Sequence, residues 1–86
     1  MTPKINQENY DKFQKALAAH YLHLFANDSD YAYAAQRNTA EGLAEKMTRG
    51  LFSGSANKEG KAIKAACKDL NIDHTYKAIQ AFLTAS

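Results

Sequence analysis

Tryptophan is absent from this chain and cysteine occurs once, as Cys67. A single thiol excludes an internal disulfide and any cysteine-rich metal framework. It fits a reducing compartment, in which a free thiol behaves as a small buried hydrophobe. No apolar run approaches the roughly 20 residues that a membrane-spanning helix needs. The opening MTPKI lacks the apolar core of a secretion signal. Four glycines are scattered singly, so nothing resembles a phosphate-cradling loop. No segment alternates with the period of a strand for a useful length, and no internal repeat is visible. These absences leave a protein expected in the cytoplasm, without a membrane segment, cofactor or metal site.

What is present specifies helices. At 86 residues the chain has room for one core. A domain this small buries only about 60–65% of the surface its unfolded form exposes, so stability depends on efficient packing or on a partner. Hydrophobic residues make up 45% and charged residues 23%, which argues against disorder. Five of the nine aromatics are tyrosine. The net charge of +2 is split unevenly. Residues 1–45 hold four basic and six acidic groups, for −2, and residues 46–86 hold seven basic and three acidic, for +4. The second half thus suggests a basic face, well short of the footprint of most nucleic-acid binders.

Apolar residues recur at Tyr10, Phe13, Leu17, Tyr21 and Leu24, which predicts a first helix from about Asn6 to Phe25 with Asn6 as its cap. Leu22 and Phe25 fall outside that stripe and imply either central burial or an interface. The ANDSD segment stops this helix. Asp28 or Ser29 then caps a short second helix over Asp30–Gln36. Thr39 reads as the cap of a third, AEGLAEKMTRGL, with Leu43, Met47 and Leu51 as its buried row. FSGSANKEG is the one flexible-looking stretch. Ser55 or Asn57 is expected to cap a fourth helix ending at Leu70, with Ile63, Ala66, Cys67 and Leu70 inward and Lys61, Lys64 and Lys68 nearly opposite. Asn71 can take the left-handed conformation that closes a helix. Asp73 or Thr75 caps the last helix, whose Tyr76, Ile79, Phe82 and Leu83 face inward. The expected fold is an all-α, single-domain bundle of four to five short helices over residues 1–86.

Few residues carry reactive chemistry. His20 and His23, three apart, can share a helix face, but two ligands do not make a metal site. Cys67 with His74 is the one conceivable nucleophile–base pair, and Cys67 lies on an apolar face where burial leaves a thiol inert. The carboxylates are scattered over exposed faces and caps, so no pair has its pKa values split for acid–base work. The expectation is a non-enzyme.

Residues 57–83 also suggest a helix-turn-helix. Ala66, Leu70, a turn at 71 and Ile72 fit its first half, but the following apolar residues fall about one position short of the usual register. In that reading His74, Thr75, Lys77 and Gln80 would face bases, and Lys61, Lys64 and Lys68 phosphates. Asp73 at the start of the last helix would repel them.

GSANKEGKAIKAACKDLNIDHTYKAIQAFL, residues 54–83, together with DYAYAA (30–35) and LAEKMTRGL (43–51), resembles a pattern found in small uncharacterised proteins of bacteriophages and prophages. Asn71 stands where that pattern has glycine, and asparagine also tolerates the left-handed cap. The family has no assigned activity, so no residue role carries over. The resemblance implies a context in which small proteins act stoichiometrically on a host or defence protein, as anti-CRISPR and other anti-defence inhibitors do. Tyrosine-rich helical surfaces suit such contacts. The expected partner is therefore a protein, met through Tyr31, Tyr33, Phe52, His74 and Lys77 as exposed contacts. The second reading is a nucleic-acid-binding module, and the third is self-association through helix one. The chain is expected to be a monomer or a homodimer.

Overall fold

One long helix organises the molecule. In the computed structural model, which describes residues 4–85, α1 runs over Gln7–Asn27, and the later helices pack on it. Met1, Thr2 and Pro3 of the MTPKI segment and Ser86 lie outside the described residues. The Asn6 side chain accepts from the Asn9 amide at 3.1 Å, so α1 begins at its expected cap. It runs two residues past Phe25 because Asn27 Nδ2 donates to the His23 carbonyl at 2.9 Å. At about 1.5 Å per residue α1 is roughly 31 Å long, so it sets the 40 Å long axis of the molecule.

After α1 the chain makes a 3-10 turn at Ser29–Tyr31, capped by Asp28, whose side chain accepts from the Asp30 amide at 2.9 Å. Then come α2 (Ala32–Arg37), α3 (Ala40–Ser53), α4 (Lys61–Asp69) and α5 (Tyr76–Thr84). There is no strand among the described residues. Thr39 and Thr75 cap α3 and α5 by accepting from the amides of Gly42 and Ala78. Two helices end in the same hydrogen-bond pattern, in which a left-handed residue folds the chain back. Gly54 (φ 78°) closes α3, with Ser55 N–H donating to Gly50 O at 2.8 Å and Gly54 N–H to Leu51 O at 3.2 Å. Asn71 (φ 57°) closes α4, with Ile72 N–H donating to Cys67 O at 3.0 Å and Asn71 N–H to Lys68 O at 3.2 Å.

The core joins Phe13, Leu17 and Tyr21 of α1 to Leu51 of α3, Ile63 and Cys67 of α4, and Ile79 and Leu83 of α5. Two expectations need correcting. The fully buried residues of α3 are Ala44, Thr48 and Leu51, while Leu43 and Met47 are half-buried. The α3 axis is rotated so that small side chains meet α1, and the Thr48 hydroxyl is satisfied within its own helix by donating to Ala44 O at 2.7 Å. The second correction concerns α4, which starts at Lys61 behind Gly60 with no side-chain cap. Asn57 instead closes a turn, accepting from the Glu59 amide at 3.0 Å.

Burial pushes the Cys67 thiol up, and the residue is 1% exposed. A thiol reagent is therefore expected to label native Cys67 at least about a hundredfold more slowly than urea-unfolded chain. Equal rates would show that α4 is not docked. Burial, with Tyr31 adding to it, also raises the Tyr21 phenol to about 12. The folded state then holds this proton more tightly than the unfolded state, whose phenol keeps the ordinary value of 10.0. Stability from this group is complete below pH 10 and is lost as pH rises toward 12, by up to about 2 kcal/mol. Tyr21→Phe should flatten that alkaline decline in urea titrations, and an unchanged slope would refute the assignment.

Candidate functional site

The sequence-predicted contact residues fall into three groups. The first is structural. Tyr31 is half-buried, its ring centroid 6.4 Å from that of Tyr21, so it completes the core instead of facing out. His74 is half-buried too, and its Nε2 donates to the Lys58 carbonyl. Tyr76 donates its hydroxyl to Ala56 O at 2.6 Å, and Gln80 Nε2 donates to Phe52 O at 3.2 Å. Three side chains from residues 74–80 thus fasten the 52–58 segment by its backbone carbonyls. The stretch that looks flexible in sequence is tied at three points. The loop and the start of α5 thus meet in space through His74, Tyr76 and Gln80. Thr75 is likewise occupied, as the cap of α5.

The second group is the lysine row of α4. Lys61 Nζ lies 2.6 Å from Asp28 Oδ2 and 3.6 Å from Asp30 Oδ2. Lys64 Nζ lies 3.5 Å from Glu59 Oε2. Donation from Lys61, helped by the Asp30 amide, holds the Asp28 carboxyl below the usual carboxylate range, and Asp28 in turn raises Lys61. Glu59 is lowered chiefly by Lys58, which donates to it at 2.6 Å. Two of the three lysines of this face are therefore matched by carboxylates. Lys68 and Lys77 carry no ion pair among the described residues. The connection from α4 to α5 spans the six residues 70–75, where a helix-turn-helix uses three or four. Both helices turn their apolar faces to α1, and α5 also packs on α3.

The third group forms a surface. Phe52, Lys77 and Gln80 converge with Ala81 and Thr84 on a groove of about 430 Å³ between the end of α3 and the outer side of α5. Its floor is the half-buried Phe52 ring and the Ala81 methyl, and its rim carries the unpaired Lys77 ammonium. Tyr33 stands apart on α2, 66% exposed, with the Arg37 guanidinium 4.6 Å from its ring centroid.

Residues with reactive chemistry are placed as follows. His20 Nε2 donates to Asp69 Oδ2 at 2.6 Å, tying α1 to the end of α4, and His23 lies beside Asn27. No three His, Cys, Asp or Glu side chains gather as a metal site among the described residues. No helix of the described residues is long and apolar enough to cross a membrane.

A further surface belongs to the helix-one arc that the sequence offers for self-association. A second groove, between α1 and the start of α3, is lined by Ala18, Ala19, Leu22 and Ala40, with Lys15 and Glu41 on its edges. Leu22 is 66% exposed there, whereas Phe25 turns inward to the core. The position of Leu22 outside the main stripe of α1 was the available signal. No protein-family model, curated protein or solved structure matches the chain.

Proposed function

We propose that this chain is a stoichiometric binder of another protein, an accessory factor of bacteriophage or prophage type that acts in the host cytoplasm as an inhibitor of a host or defence protein. The observation that carries the reading is the α3–α5 groove. An aromatic floor with one unpaired lysine on its rim suits an apolar segment that carries a carboxylate. The reading is non-catalytic. Cys67 is sealed in the core, His74 is committed to the Lys58 carbonyl and His20 to Asp69. The nucleic-acid reading rests on fewer groups, since Lys61 and Lys64 face carboxylates and leave Lys68 and Lys77 as its unpaired lysines.

Affinity capture from host lysate tests this, with and without nuclease, at low and moderate salt. A discrete protein band that survives nuclease and salt, and is lost with Ala81→Arg or Lys77→Glu, is the expected result. Captured nucleic acid would replace this reading with the second one. With two lysine–phosphate contacts, that binding would weaken about tenfold between 50 and 200 mM salt.

A further inference from the structure

The α1–α3 groove places a knob beside a hole. Leu22 projects 66% exposed at one end of a depression of about 460 Å³ floored by Ala18, Ala19 and Ala40. A surface that pairs with itself about a twofold axis must carry both members of each contact in one patch. The charges meet the same requirement. Lys15 and Glu41 edge the adjoining depression from opposite helices, and neither has an ion-pair partner among the described residues. Along α1, Lys15 and Leu22 stand at equal spacing on either side of the Ala18–Ala19 pair.

We propose that two copies of this chain pair through this groove, their α1 helices crossing antiparallel at Ala18 and Ala19. Methyl side chains at the crossing let the helix axes approach to the close end of the roughly 8–10 Å range. The symmetry then sets Leu22 of each copy into the adjoining depression of the other, over the aliphatic stem of its Lys15. It brings each Lys15 ammonium toward the opposite Glu41, so that two ion pairs form in place of four unpaired charges. The groove lies on a different helix pair from the α3–α5 groove, so pairing and the proposed capture of a host protein are separable.

Sedimentation equilibrium from about 1 µM to about 1 mM is the test, and a dimer with a micromolar dissociation constant is expected. Leu22→Glu, at an exposed site, should weaken it at least about tenfold with an unchanged helical circular dichroism spectrum. Lys15→Glu should weaken it several-fold, and Lys15→Glu combined with Glu41→Lys should restore it. Lys77→Glu should leave it unchanged. A monomer throughout, or a double charge swap no better than the single one, overturns the proposal. A monomer in which Leu22→Glu abolishes host-protein capture also overturns it, and assigns the groove to that partner.

Discussion

Phe13→Ala is expected to lower the thermal midpoint by roughly 15–30 °C. Phe13 is the largest of the fully buried side chains. It sits on α1, the helix that α3, α4 and α5 all contact. Truncating a buried phenylalanine costs about 3–5 kcal/mol, from lost transfer energy and from the cavity left behind. A domain of 86 residues has a total stability of only about 4–13 kcal/mol. The variant is therefore expected near the edge of unfolding at 37 °C. The matched comparison is Tyr33→Ala on α2, where a 66%-exposed ring should change stability by no more than about 0.5 kcal/mol. A drop below about 5 °C for Phe13→Ala in differential scanning calorimetry would mean that α1 is not the hub of the fold.

The second large effect concerns Gly50, where two tendencies oppose. Alanine is the better helix former by about 1 kcal/mol, and Gly50 lies inside α3. Yet a Cβ there would stand 2.7 Å from the Ala56 Cβ. Ala56 has no flexible end to move aside. Its displacement would strain the Ala56 N–H bond to Gly50 O at 3.1 Å and the Tyr76 hydroxyl bond to Ala56 O at 2.6 Å. Overpacking of this kind costs about 1–3 kcal/mol, and each compromised hydrogen bond about 1 more. Gly50→Ala should therefore destabilise by about 2 kcal/mol in urea unfolding despite its helix propensity. A stabilised variant would show that the 53–58 loop moves freely, contrary to the three ties described above. Tyr76→Phe isolates one of those ties and should cost about 1 kcal/mol.

Much of this fold is legible because it rests on local rules. The caps at Asn6, Thr39 and Thr75, the left-handed Asn71 and the buried stripe of α1 each depend on residues within four positions of one another. The rotation of α3 was not legible. Periodicity favours the bulky Leu43 and Met47, while close helix contact selects Ala44 and Thr48, and only the neighbouring helix decides between them. The loop ties were hidden for a related reason. Gln80 reaches a carbonyl 28 residues away, and Tyr76 one 20 residues away. Backbone acceptors leave no mark on composition, so the pairing shows only in the folded chain. For the candidate surface, Phe52 and Gln80 come from two different readings of the sequence and meet with Lys77 only in the fold, whereas Tyr31 turns to the core, because an aromatic beside a helix end reads the same whether it faces Tyr21 or solvent.

The segment from Ser29 to Arg37 contains no fully buried residue, and this sets it apart kinetically from α1. Its attachment to the core runs through Tyr31 and the pairs of Lys61 with Asp30 and with the capping Asp28. Little apolar surface has to be exposed for it to open, so its amides belong to the fast-exchanging class while those of α1 report global unfolding. Tyr33 and Arg37 thus ride on a part of the bundle that can open ahead of the core, at the expense of the Tyr21–Tyr31 contact.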